Sequence, residues 1–237
     1  MSIQTLRLVA PSDATVTVEL PADQRVTSVA AGVRFAGGSY GRGFQIGPRG
    51  HHDFACAHLV PASTIDRFVV HGREVVVAEA ADKSTAIATL MGEYHELMTV
   101  FGGPAPQRSN IIQLFSMLDI DDRVGGMVVK PKSATLLGTL NEHLTVVVEG
   151  FGSLSIPGAG QAHNLLPKHK GAKTRKGEVW RTPLPGMTAQ AARARDYSYV
   201  LGFKAGLAEV HFDDGDTPGD DARLAWLDQI SVAWQPN

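Results

Sequence analysis

The sequence predicts an α+β fold: a sheet-rich amino-terminal half, then a helix-and-strand unit, then a mixed carboxy-terminal part. Three observations point there. Short β-branched runs broken by Pro, Gly and Asp fill the first eighty positions. Helical spacing of apolar residues begins after Asp82. Beyond Gly138 strand-like runs mix with Ala-rich segments.

The chain has 237 residues, 43% of them hydrophobic and 19% charged, enough to bury a core as one large domain or two small ones. A net charge of -2 provides no global field for nucleic acid or an anionic membrane. Cys56 is the single cysteine, so no intrachain disulfide forms, in keeping with a reducing compartment. The amino terminus lacks a basic segment followed by an apolar one, and no run is long enough to span a bilayer. These features give the expectation of a soluble, cytoplasmic protein divided into residues 1–80 and 81–237.

Strand patterns occur in "TLRLVA", "TVTVEL", "RVTSVAAGVRFA", "GFQIG", "DFACAHLV" and "DRFVVHGREVVVAEA". The glycine-dense "FAGGSYGRGFQIGPRG" lacks the order of a phosphate-binding loop and reads as hairpin turns. "DKSTAIATLMGEYHELMTVFGG" places Ile87, Leu90, Met91, Tyr94, Leu97, Met98 and Phe101 at helical intervals and stops at Gly102-Gly103. A helix is expected there. "NIIQLFSML" is apolar and short, the pattern of a buried strand. "RVGGMVVKPKSATLLG" then sets a glycine pair at the mouth of a further strand.

The succession "LMGEYHELMTVFGGPAP", "NIIQLFSML" and "VGGMVVKPKSATLLG" resembles the gluzincin metallopeptidases, which include aminopeptidase N and the glycyl aminopeptidases, over about residues 54–138. The resemblance implies an edge strand beside the active site whose backbone pairs with an extended peptide. On this sequence those residues are Gly125, Gly126, Met127, Val128, Val129 and Lys130. Glycines without side chains leave room for a second backbone, and the following residues continue a ladder. The other reading of the pair is a β-bulge or tight turn that only aims the strand. Val128 and Val129 stand where the family's aminopeptidases carry Glu and Asn, and HExxH occurs nowhere in the chain. A gluzincin needs that motif because residues four apart share a helix face and supply two zinc ligands. Without it no catalytic residue, metal or cofactor is assigned.

Other ligand sets are sparse. His51 and His52 are adjacent, Cys56 and His58 are two apart, His163 and His169 are six apart, and a cluster of Cys56, His58 and His143 would require the fold to assemble it. "HHDFACAH" reads as a strand with Phe54 and Cys56 on one face. No GxSxG elbow is present.

Late in the chain, "PKHKGAKTRKGEVWR" is basic and "EVHFDDGDTPGDD" acidic. The basic stretch reads as a solvated loop without the aromatic interleaving of a nucleic-acid surface. "MTAQAARARDYSYVLGFKAGLAEV" is helix-compatible from Thr188, with Tyr199, Leu201, Phe203 and Leu207 as core candidates. "DARLAWLDQISVAWQPN" reads as a helix or helix-to-strand element anchored by Leu224, Trp226, Leu227, Ile230 and Trp234.

The function expected from these features is a non-catalytic binder of an extended peptide. Strand addition along Gly125–Lys130 is its mechanism, and presenting a precursor peptide in peptide natural-product biosynthesis is one context. A protein partner or a homo-oligomer is a further expectation. The competing readings are a metal-dependent hydrolase with an unfamiliar site and a structural or assembly protein. Gly126→Val is expected to abolish binding with the fold largely intact.

Overall fold

The computed structural model describes residues 2–37, 40–133, 139–183, 197–213 and 220–235. The expected balance of helix and sheet is corrected: strands account for 59% and helices for 16%, so the fold is mostly β. The chain divides into two compact units. Unit one comprises Met1–Leu8, Ala14–Val29 and His143–Asn237; unit two comprises Val9–Asp13 and Ala30–Glu142. Residue 80, the expected boundary, lies inside unit two.

After Val9–Asp13, unit two continues with β3 (Val26–Gly37), whose first residues belong to unit one, and β4 (Tyr40–Pro48). Helix α1 (His51–Phe54) and a π-turn (Ala55–Leu59) follow. A meander of β5 (Ala62–Val70), β6 (Arg73–Ala80), β7 (Thr85–Met91) and β8 (His95–Gly102) leads to helix α2 (Arg108–Ser116) and the hairpin β9 (Leu118–Arg123) and β10 (Gly126–Pro131). The sheet runs in the order β3-β4-β8-β7-β6-β5. Its core joins Val33, Phe35, Phe44, Val75, Val77 and Leu90 to Ile111, Leu114 and Phe115 of α2.

Two expected elements exchange identity. The expected helix over 82–103 is the β7–β8 hairpin. Ala86, Ile87, Ala88, Thr89 and Leu90 are all buried. A strand covered on both faces shows no alternation, so its apolar positions alias onto a helical period. The expected strand "NIIQLFSML" is α2, which buries Ile111, Leu114 and Phe115 at i, i+3 and i+4. The helix, loop, strand and Gly-x-Met strand succession behind the gluzincin resemblance is therefore not the order of elements here. "HHDFACAH" is likewise helical, not a strand.

Unit one repeats the plan. Its strands β11 (Thr139–Val148) and β12 (Gly152–Pro157) precede helix α3 (Ala159–Leu165). Then come β13 (Ala172–Lys173), β14 (Gly177–Pro183), β15 (Tyr197–Phe203), β16 (Gly206–Phe212), helix α4 (Asp220–Leu227) and β17 (Ser231–Gln235). The strand order is β11-β12-β16-β15-β14-β13, matching that of unit two element for element. β17 pairs with β2 (Thr15–Pro21), and β2 in turn with β1 (Ile3–Val9). Trp226, Leu227, Ile230 and Trp234 are buried as expected, whereas Leu224 is 51% exposed. Tyr199, Leu201 and Leu207 are buried in strands, not in the expected helix, whose beginning at Thr188 lies outside the described residues.

Candidate peptide-binding edge

Strand β10 has a neighbour on each side. Val128 and Val129 pair with Asp121 and Ile120 of β9. On the opposite edge, Val9 N–H donates to the Gly125 carbonyl at 2.9 Å and Val129 N–H donates to the Pro11 carbonyl at 3.0 Å. Gly126 sits at φ +153°, and a Cβ there would overlap the Val9 carbonyl oxygen. Met127, Val128 and Val129 are buried. Arg123 and Lys130 close the arrangement with bonds of 2.8 and 3.0 Å to the Asp13 carboxylate. The two cations hold that carboxyl below its usual range, Lys130 foremost. The glycine pair does admit a second backbone, but the backbone is the chain's own.

The helical turn over His51–Leu59 brings together the one cysteine and a histidine. His52 and Cys56 lie four residues apart on a shared face, with Cys56 Sγ 3.6 Å from His52 Nε2 and Thr89 Oγ1 2.8 Å from His52 Nδ1. Burial pushes the Cys56 thiol up and the His52 imidazole down. Both shifts favour a neutral thiol beside a neutral imidazole, the reverse of an activated thiolate pair. Beneath them the buried Glu96 carboxylate accepts from the Gly50 and His52 N–H groups at 2.8 and 2.7 Å, fixing the start of the turn. The His58 ring lies 4.9 Å from that of Phe54 in a tilted contact, and His143 lies in β11. Among the described residues, no group of three or more His, Cys, Asp or Glu side chains is placed to hold a metal.

Registers identify a different edge. In unit two, Val69 pairs with Glu74 and Phe68 with Val75. In unit one, Lys173 pairs with Glu178 and Ala172 with Val179. The sequences "REVVV" and "GEVWR" thereby align, with Val76 and Val77 matching Trp180 and Arg181. Across the next strand the match holds, since Val77 pairs with Ala88 and Arg181 with Tyr199. The difference is in coverage. β5 continues past Phe68 along β6, with Arg67 opposite Val76, Asp66 opposite Val77, and pairing as far as Ala62 and Ala80. β13 stops at Ala172. Among the described residues no strand covers that side of β14 from Trp180 to Pro183.

The exposed backbone groups follow from the ladder. Thr174 N–H donates to the Gly177 carbonyl at 2.9 Å, so that carbonyl points toward β13. Groups two residues apart on a strand point the same way, which aims those of Val179 and Arg181 out of the same edge. The close approach of Gly171 to the Val179 carbonyl agrees. At Gly171 the chain leaves the sheet, held by a 2.7 Å bond from Trp180 Nε1 to the His169 carbonyl.

A cleft of about 350 Å³ opens beside this edge, lined by Ala172, Val179, Tyr199 and Leu224, with Lys170 and Arg181 among its polar residues. Ala172 occupies the position that Phe68 fills in unit two, where the phenyl ring packs onto the core. The basic stretch is only partly solvated. Arg175 pairs with Asp228 at 2.7 Å and Lys176 pairs with Glu19. Lys170, Lys173 and Arg181 stay exposed. The Arg181 guanidinium lies 3.7 Å from the Tyr197 ring centroid.

Sequence reasoning missed this edge because it treated 168–181 as one loop. The available signal was the recurrence of Glu-Val one or two residues after a turn, at Glu74-Val75 and Glu178-Val179. Comparison of the chain with protein-family models, curated proteins and solved structures returns no match. Among the described residues no helix is long and apolar enough to cross a membrane.

Proposed function

We propose that the protein is a non-catalytic binding module that takes up an extended peptide by strand addition to β14. The observation carrying this reading is the unequal coverage of equivalent strands. β6 is paired along its length by β5, whereas β14 is paired by β13 only at Glu178 and Val179. An added strand would complete in unit one what β5 completes in unit two. Backbone bonds to Arg181 would supply affinity, and the adjoining cleft would receive a side chain. In this reading the strand addition expected at Gly125–Lys130 moves to β14, because the backbone of Val9 and Pro11 already bonds to Gly125 and Val129.

Arg181→Pro tests the reading. Proline removes the outward N–H and is tolerated where a strand's N–H faces away from its partner. Peptides selected from a displayed library on the native chain are expected to lose binding to the variant, with pairing to β15 retained as judged by circular dichroism and amide spectra. A library in which every selected peptide binds both proteins equally overturns the proposal.

A further inference from the structure

We infer that the strand accepted by β14 is acidic, with a carboxylate opposite Arg181. This inference rests on the strand-addition reading and specifies its ligand.

The register fixes where a side chain would fall. Position 181 matches Val77, and the residue facing Val77 in the completed unit is Asp66. There the carboxylate binds the Arg108 guanidinium at 2.6 and 2.9 Å, so the cation comes from α2. Unit one carries its cation on the strand itself, at Arg181. Side chains directly opposite in an antiparallel pair lie close enough for an ion pair to form across the strands. Stacking on Tyr197 holds the guanidinium plane while leaving N–H groups at its rim for a carboxylate.

The surroundings carry the same sign. Lys170 lines the cleft, and Lys173 lies at the end of the short strand; no ion pair to a described acidic residue engages either one or Arg181. Glu178, the nearest carboxylate on β14, accepts from Gly171 N–H at 3.1 Å. An acidic strand would therefore meet the positive charge of Lys170 and Arg181, and a basic one would be repelled.

Three seven-residue peptides of one alternating design provide the test: valine with glutamate, valine with glutamine, and valine with lysine. Each is titrated into the isotopically labelled full chain while backbone amide shifts are followed. The glutamate peptide is expected to move the Arg181 amide, the glutamine peptide to bind at least about threefold more weakly, and the lysine peptide not to bind. Arg181→Gln should narrow the difference between glutamate and glutamine peptides. Equal affinities for those two, with the Arg181 amide moving in both, overturn the acidic preference and leave strand addition standing. Shifts confined to residues 168–173 reveal attraction by charge alone and overturn both. No shift at Arg181 with any peptide also overturns the strand-addition reading.

Discussion

At the residue scale, Gly126 shows how a correct physical reading of a glycine leads to a different use of it. The requirement for space beside the backbone was legible, since a strand mouth with paired glycines marks close approach. The identity of the approaching backbone was not, because Val9 lies more than a hundred positions away in sequence. Gly126→Val consequently acts on stability. With φ at +153° and the Val9 carbonyl in the path of a Cβ, the substitution should cost about 2–4 kcal/mol, measured as a lowered denaturation midpoint. An unchanged midpoint would show that the Val9–Gly125 pairing contributes little to the folded chain. Asp122 supplies a comparable case. Its buried carboxylate accepts from Tyr94 N–H at 2.8 Å, His95 N–H at 3.3 Å and His95 Nδ1 at 2.8 Å, and Gly92 leaves it room. Asp122→Ala strands these donors, with an expected loss of about 2–4 kcal/mol in the same measurement, whereas Asp122→Asn retains part of the network.

At the element scale, the amino-terminal strands and the final helix-to-strand segment were readable because their patterns are local. β2 alternates half-buried and buried positions, and α4 precedes β17 as the anchors Trp226 and Trp234 imply. The β7–β8 hairpin was not readable, because burial on both faces erased the period of two that distinguishes a strand. For α2 the error ran the other way: a short apolar run was assigned by length, although Ile111, Leu114 and Phe115 already had helical spacing. Strand β14 lends itself to a direct test of coverage. With no described strand on its outer edge beyond Val179, the Arg181 amide should exchange at least about a hundredfold faster than that of Val77, its covered counterpart, by hydrogen-exchange spectroscopy. Equal protection would place a partner on that edge. Ala172→Phe restores the side chain that unit two carries, and should diminish peptide binding at the cleft while leaving the unfolding midpoint nearly unchanged.

At the scale of the whole molecule, two units with one succession of elements arise from sequences with little residue identity. What recurs is the pairing register: Val75 aligns with Val179 and Leu90 with Leu201 as identities, whereas the buried Val77 aligns with the exposed Arg181 and Ala88 with Tyr199. Apolar volume can be kept with many side chains, so a repeated fold leaves only a faint repeat in sequence. Burial sets the response to acid. Burial holds His51, His52 and His143 below the ordinary imidazole value of 6.5. Each is then neutral in the folded chain at a pH where the unfolded chain has begun to bind a proton, so protons favour unfolding. Stability should therefore fall as pH drops through 6.5 toward the lowered folded values, well above the range where carboxylates titrate. Asp13, Glu19 and Asp66 have lowered folded values, and their contribution is lost only as pH falls further, below the ordinary 3.8 to 4.5. Denaturant midpoints between pH 8 and about 5 isolate the first window. His52→Gln keeps a partner for Thr89 without a titrating ring, and should flatten the slope in that window; a slope as steep as that of the native chain would assign the proton uptake to His51 and His143 instead.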